Sequence, residues 1–430
     1  MRLALSMGMH RAASRRSHLS PVEREARRRT WWVLYFFERF SASKLGQPIT
    51  VRDEDIDTEM PSMDGLTEDE MAEFLDPVPL ITNVKLARII GNILTDIYGI
   101  PRSNKGLCIH GVHGILKQLR AWHAELPPGM RIKERGSPRP VASLHLAYNQ
   151  CIIQTTRPVL LHLFKTQFQL LGSKQDQQQQ QQQSPRKQTT TTTFSSITLA
   201  LAESCVNAAQ ASSRIVEGLF LDGSIATFGY WDAHHIFSAA LILIMSAVMK
   251  PATATSEALE TLLSILRSMK NDGNIPAVDL CDRLSHIQAR VSTLREQGRM
   301  EQVALLDGAA VPGGEPSPGA VAGTGDAAGA AAVAAATGAM AESSPGHNNT
   351  NNNNNHGEQQ AMPMALGGGF LRGAGGASIN YGGVDILGNP LIGSFLDETR
   401  GPWPDAVVAE DGSWKEFASE IEEQFLFHNM

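Results

Sequence analysis

Apolar residues recur every three or four positions over most of the first 297 residues, which is the spacing of one face of an α-helix. The pattern predicts helices over residues 22–40, 80–98, 107–126, 141–164, 196–220, 236–249, 256–271 and 276–297. Pro21 lies at the start of the first helix, and Gly46 with Pro48 ends it, as the preferences of helix ends predict. No segment of residues 1–297 alternates apolar and polar residues as a half-buried strand does. The sequence therefore predicts an all-α, irregular multi-helix domain.

Three stretches depart from this pattern. Pro158 predicts a kink or break near Arg157, because proline has no N–H to continue the helix. Residues 172–193 are mainly glutamine and threonine and predict a disordered insertion, since they offer few apolar side chains for a core. Residues 308–389 are rich in glycine, alanine and asparagine and predict a low-complexity linker. The predicted organisation is a domain over residues 1–297 followed by a long disordered tail.

The last segment, residues 395–430, combines aromatic residues with nine acidic residues against two basic ones. Ser413 followed by Glu416 forms a capping box, which predicts a short amphipathic helix from Trp414. Such a helix could insert apolar anchors into the groove of a coactivator, or it could pack on the domain itself. The candidate coactivator contacts are Trp414, Phe417, Ile421 and Phe425.

Charge and cysteine content exclude several classes of protein. The formal net charge is −7, so the chain as a whole is not suited to bind a polyanion. The cysteines are far apart and predict reduced, buried thiols rather than a zinc knuckle or a disulfide framework. They are Cys108, Cys151, Cys205 and Cys281. The apolar run of residues 236–249 is shorter than the roughly 20 residues of a bilayer span and predicts a core helix.

The acid-rich stretch LGQPITVRDEDIDTEMPS, residues 45–62, suggests a metal or acid–base site. A calcium loop fails, because Thr58 stands where the turn needs glycine and Pro61 interrupts the loop. A catalytic carboxylate pair needs burial to separate the two pKa values, and crowded carboxylates are expected to be mostly solvated. We therefore predict an extended acidic surface loop, with apolar residues packed on the helices. Those residues are Ile49, Val51, Ile56 and Met60.

Other candidate chemistry is weak. His110 and His113 would share a helix face, but Cys108 would point elsewhere and no fourth ligand follows. The arginines at positions 11, 15, 16, 24, 27, 28 and 29 could contact phosphates or serve in nuclear import. The interleaved Glu23 and Glu25 favour a solvated or salt-bridged face instead. No hydrolase, phosphate-loop, dinucleotide or zinc-peptidase motif occurs, so we predict no catalytic residue, no metal ligand and no enzyme.

One combination of residues resembles a known family. It consists of Arg28, Arg29, Trp31, Trp32, Gly46, Gln47, Pro48, Asp53, Asp55, Asp57 and Pro61. This combination is similar to the signature of the fungal-specific transcription factor domain, the middle homology region of fungal zinc binuclear cluster regulators. Residues 119–130, 144–164 and 271–287 also resemble the family, so the likeness covers residues 1–297.

The resemblance implies the regulatory part of a fungal RNA polymerase II transcription factor that acts in the nucleus. Members carry six cysteines that hold two zinc ions upstream of this region, in a module that reads DNA. This sequence lacks that module, so we expect no cofactor in this chain, and Met1 resembles an internal start, the start of a truncated gene model or that of a fragment. Expected partners are DNA through the missing module, a coactivator and a small-molecule inducer, but no membrane. The alternative is an α-helical small-molecule-binding protein or enzyme unrelated to transcription.

Overall fold

The computed structural model describes residues 1–12, 18–99, 109–133, 136–180, 194–308 and 387. These residues contain ten α-helices and no strand, so the all-α prediction is confirmed. The helices are α1 (Arg2–Ser6), α2 (Pro21–Leu45), α3 (Glu68–Met71), α4 (Pro77–Asp96), α5 (Ile109–Ala124), α6 (Arg139–Gln180), α7 (Ser196–Leu221), α8 (Tyr230–Met249), α9 (Thr253–Asn271) and α10 (Ile275–Gly308). Short 3-10 helices span Asp53–Asp55 and Pro128–Met130.

The chain divides into two compact units. The first consists of residues 1–299 and 379–430, and it contains the core that is described below. The second consists of residues 300–378, of which only the backbone of the last turns of α10 is described. The predicted linker beyond residue 308, the second half of the predicted insertion (residues 181–193) and the acidic tail lie outside the described residues, Leu387 excepted.

Helix α2 begins and ends through local interactions. The Ser20 side chain accepts a hydrogen bond from the backbone N–H of Glu23, and the Glu23 carboxylate accepts one from the Ser20 N–H. This capping box and Pro21 satisfy the first turn. At the other end Gly46 has φ +60°, the left-handed conformation that glycine adopts without a Cβ clash. The predicted end is confirmed, and the Ser20 cap is an addition to the prediction.

Helix α8 is the centre of the main core. It is 20 residues long, six more than its apolar run predicts, and so is long and apolar enough to cross a membrane. Length alone therefore does not distinguish a membrane span from a core helix. However, 78% of the most apolar 18-residue window of α8 is buried inside the protein. Helices α7 and α9 both pack on α8. This burial is typical of a core helix of a helical domain.

Helix α6 continues where the sequence predicts interruptions. It runs for 42 residues through Pro158, so no break occurs near Arg157. Proline cannot donate to the carbonyl of Gln154, and that carbonyl instead accepts a hydrogen bond of 2.6 Å from the Tyr98 hydroxyl. The backbone also remains helical over residues 172–180, the first part of the predicted insertion, because glutamine is a good helix former.

Leu387 lies inside the range predicted as a linker, yet its side chain is 1% exposed. It belongs to the main hydrophobic core together with residues of α4 to α10. The chain after residue 378 therefore contributes at least one residue to the core of the first unit. The composition of residues 308–389 did not predict this packing, because the few apolar residues around Leu387 are too short a run to carry a periodic signal.

Candidate functional site

The family-like residues surround a buried carboxylate on α2. Glu25 is 2% exposed and accepts hydrogen bonds from Arg28 at 2.6 Å and from Arg29 at 2.7 Å. The backbone N–H of Ser62 donates to the same carboxylate at 3.1 Å. Two of the arginines thus neutralise an internal acid instead of forming a free basic surface. The prediction of a salt-bridged face is confirmed at Arg28 and Arg29.

The two tryptophans fix the loop that follows α2. Trp31 is fully buried, and Trp32 donates from Nε1 to the carbonyl of Glu59 at 2.7 Å. The Glu59 carboxylate pairs with Arg28 on the same helix. Pro61, two residues further on, is buried. The loop therefore runs back along α2 and is attached to it by both backbone and side chain.

Asp53 is the next attachment point. Its Oδ1 accepts from the Tyr35 hydroxyl at 2.7 Å and from Arg39 at 3.0 Å. Arg39 is 1% exposed and also donates to Glu38 and to the Val51 carbonyl. Burial raises the pKa of the Tyr35 phenol, so this group stays a neutral donor at physiological pH.

All of the remaining signature residues except Pro48 also have structural roles. Asp57 accepts from the Ala12 N–H at 2.8 Å, and Asp55 pairs with Arg52. Gly46 carries the left-handed turn, the Gln47 N–H donates to the Ala42 carbonyl at 3.0 Å, and Pro48 is exposed.

The carboxylates of the loop are exposed or half-exposed, as predicted, but each has a hydrogen-bond or ionic partner. Val51 is buried, and Ile56 and Met60 pack against the small core of α2. Among the described residues no group of three His, Cys, Asp or Glu side chains could hold a metal ion. Cys108 lies outside them, and so do Trp414, Phe417, Ile421 and Phe425. In the signature region, residues 25–62, the charged and aromatic side chains of α2 thus attach the acidic loop to that helix.

A buried polar cluster lies at the C-terminal end of α2, where α2 meets α6 and α8. We call it the Lys44 cluster, and it consists of Lys44, Cys151, Gln154, Arg157 and His235. The Gln154 side chain donates to the Ser43 carbonyl at 3.1 Å, which ties α6 to the end of α2. The guanidinium of Arg157 donates to the Tyr98 hydroxyl at 2.7 Å and lies over its ring.

The electrostatics of this cluster differ from those of the signature region. Burial lowers the pKa of Lys44 from 10.5 to about 7, and Arg157 lowers it further, while Cys151 opposes the shift. Burial raises the pKa of the Cys151 thiol to about 12, against the effect of Lys44. Burial, then Lys44 and His234, lower the pKa of His235 well below its usual value. The thiol and the imidazole are therefore neutral near pH 7, and Lys44 titrates there.

Sequence analysis missed this cluster. One signal was present, because Lys44 follows Phe40 by four residues and so lies on the same helix face. The other members come from helices more than 90 residues away in the sequence, and no spacing rule links them to Lys44.

Comparison with known proteins tests the family resemblance. Residues 1–124 match the family model described as the fungal specific transcription factor domain. The predicted resemblance is confirmed, and the family model matches the first 124 of the 297 residues over which it was predicted. The matched range contains the whole signature region and Lys44, while the other members of the Lys44 cluster lie beyond it.

Curated relatives are fungal regulators. An uncharacterized transcriptional regulatory protein of Schizosaccharomyces pombe is 25% identical over 300 residues, which cover 69% of this chain and 34% of that protein. Transcription factor FBD3 of Gibberella moniliformis is 24% identical over 56% of this chain and 33% of its own length. Activator of stress genes 1 of Saccharomyces cerevisiae is 27% identical over 38% of this chain and 18% of its own length.

The chain spans about a third or less of the length of these relatives. No solved structure matches it. The domain match and the relatives together support a regulatory role in transcription. They do not favour a small-molecule-binding protein or enzyme unrelated to transcription.

Proposed function

We propose that this chain is the regulatory and C-terminal part of a fungal nuclear transcription factor. The observation that supports the proposal is the domain match over residues 1–124, in which every signature residue except the exposed Pro48 has a structural partner or a buried or turn position. Its role is regulatory and non-catalytic. DNA and zinc binding belong to the whole protein in this proposal, because the four cysteines of this chain are fewer than the six of a binuclear cluster.

The acidic tail is the activating element in this proposal. Residues 395–430 carry nine acidic residues, interleaved with aromatic ones. A helix from Trp414 would place Phe417, Ile421 and Phe425 at intervals of three and four residues, which suits insertion into an apolar groove. The acidic residues would keep such a segment soluble until a coactivator binds it.

A reporter assay tests the activating role. The full chain, fused to a heterologous DNA-binding domain, should activate transcription in a fungal host. Alanine at Trp414, Phe417 and Phe425 together should reduce the signal at least several-fold, because the groove anchors are lost. Trp403→Ala is the matched control, since it removes an aromatic residue of the same tail outside the predicted helix. An unchanged signal in the triple variant at equal protein level would refute the activating role.

The nuclear location is tested separately. A fluorescent fusion of the chain should accumulate in fungal nuclei when it is expressed with the remainder of its regulator. Exclusion from the nucleus under all growth conditions would contradict the proposal.

A further inference from the structure

Three charged groups that are buried in the described part of the chain have opposite charges beside them. Glu25 is neutralised by Arg28 and Arg29. Arg39 is paired with Glu38 and Asp53. Asp232 is 4% exposed and accepts from Arg139 at 2.8 Å and from the Ala226 N–H at 2.9 Å. This pairing is expected, because an isolated buried charge costs several kcal/mol.

Lys44 departs from this rule. It is 8% exposed, and its Nζ atom has no hydrogen-bond partner within the described part of the chain. Within the described residues, the titratable groups that interact with it are Cys151, Arg157 and His235, and none of the three is a carboxylate. One is a permanent cation, and the other two are neutral near pH 7. The cluster thus has positive charge and hydrogen-bond donors in excess of acceptors.

We propose that the Lys44 cluster is the binding site of a small organic carboxylate, whose negative charge pairs with the Lys44 ammonium. A carboxylate oxygen is the acceptor that the ammonium lacks, and Arg157 adds favourable charge from the side. A single negative charge fits better than a phosphate dianion, because one cation lacks a partner and the second negative charge would have to be desolvated without one.

The site would couple two parts of the molecule. Lys44 belongs to α2, within the region that matches the family, whereas Cys151, Gln154 and Arg157 belong to α6 and His235 to α8. A ligand bound here would hold the end of α2 against α6 and α8. The binding itself goes beyond the proposed function and does not depend on it; only the use of such binding to control transcription rests on that function.

Acetate, the probe, tests the site in the full-length chain. Thermal unfolding is followed at pH 6.5 in sodium acetate and in sodium chloride of equal ionic strength, and with acetamide as the neutral analogue. We expect acetate at saturation to raise Tm by about 2 °C or more over chloride, as a ligand of the native state does. Acetamide should have no such effect, because it carries no charge.

Two variants assign the effect to the site. Lys44→Met keeps the length and apolar stem of the side chain and should abolish the acetate-dependent shift. Lys85→Met is the matched control, since Lys85 is half-exposed and pairs with Glu125 on the surface. It should retain the full shift. Equal Tm in acetate and chloride, or an acetate shift that survives Lys44→Met, would overturn the proposal.

A measurement on the wild type does not rely on the folding of a variant. With ¹³C-labelled lysine, the Cε resonance of Lys44 reports its titration. Acetate should raise the midpoint of that titration by about one pH unit or more, because an adjacent anion stabilises the charged amine. An unchanged midpoint would show that Lys44 is a neutral core lysine and would overturn the proposal. Either result leaves the reporter assay of the activating tail unaffected.

Discussion

At the scale of single residues, the protein handles buried charge in two ways. In the signature region each buried charge is held by a partner from α2 or from the following loop, as at Glu25 and Arg39. At the end of α2, Lys44 has no such partner among the residues that the structure describes, and burial lowers its pKa to about 7. The first arrangement stabilises the fold, whereas the second leaves a group whose charge changes near physiological pH.

The titration of Lys44 predicts a pH-dependent stability. Between pH 7 and pH 10.5 the unfolded chain holds the Lys44 proton more tightly than the folded chain, so the Lys44 contribution becomes less unfavourable as pH rises. Lys44→Met should therefore increase the free energy of unfolding by a few kcal/mol, on the order of the usual cost of a buried charge, at pH 6.5, and by much less at pH 9.5. Urea denaturation without added carboxylate measures both values. A gain that is equal at the two pH values would contradict the prediction.

The buried acid of the signature region predicts a loss of stability. Glu25→Gln leaves Arg28 and Arg29 without their common counter-charge, and both guanidiniums are largely shielded from water. We expect the free energy of unfolding to fall by about 2 kcal/mol, less than for fully buried pairs. Glu54→Gln is the control, because Glu54 and its partner Arg52 are both mostly exposed. The free energy of unfolding of Glu54→Gln should equal that of the wild type. An equally unchanged free energy of unfolding in Glu25→Gln would refute the stabilising role of Glu25.

At the scale of helices, α6 shows how one residue from outside replaces a lost backbone hydrogen bond. Pro158 removes the N–H that would bond the Gln154 carbonyl, and the Tyr98 hydroxyl donates to that carbonyl instead. The same hydroxyl accepts from Arg157, so the segment after α4 is tied to the middle of α6. The helix therefore stays continuous in spite of its proline.

A double-mutant cycle tests this substitution of donors. Tyr98→Phe should lower the free energy of unfolding by about 1–3 kcal/mol, because the Gln154 carbonyl is left unsatisfied. In a Pro158→Ala background the alanine N–H restores the helical bond, so the cost of Tyr98→Phe should fall by about 1 kcal/mol. Additive effects of the two substitutions in urea denaturation would show that the hydroxyl does not replace the missing donor.

At the scale of the whole molecule, the core of the first unit draws on distant parts of the chain. Leu387 is separated from residue 308 by a long low-complexity stretch and is nevertheless part of the main hydrophobic core. Leu387 thus links the part of the chain that follows the low-complexity stretch to the core of the domain that we propose to be regulatory.

Removal of the Leu387 side chain tests that link. Leu387→Ala should lower the free energy of unfolding by about 2–4 kcal/mol, which is the usual cost of a cavity at a buried leucine. Leu221→Ala is the control, because Leu221 is 65% exposed. Chemical denaturation of the full chain measures both variants. A negligible loss in Leu387→Ala would mean that this segment does not stabilise the core.

The sequence predicted the family and most helices because both depend on local patterns. The helix of residues 22–40, its glycine stop and the acidic loop were all visible in spacing and composition, and the structure extends that helix only to Pro21–Leu45. The helices α1 and α3 were missed, since five and four residues are too few to show a period. Of the kink and the break that Pro158 predicted as alternatives, the break does not occur, and the sequence could not show this because the donor to the Gln154 carbonyl is Tyr98, 60 residues before Pro158.

By itself, then, the sequence determined the all-α class, the helix ends with glycine or proline signals, and the family signature. Local propensities and periodic burial act over a few residues, and a sequence displays them directly. Only the tertiary structure decided how the buried charges of the described residues are paired. Lys44 has the same local sequence context whether an acid lies beside it or not, and its environment is set by α6 and α8. Electrostatic partners are a matter of distance in space, which the order of residues does not give.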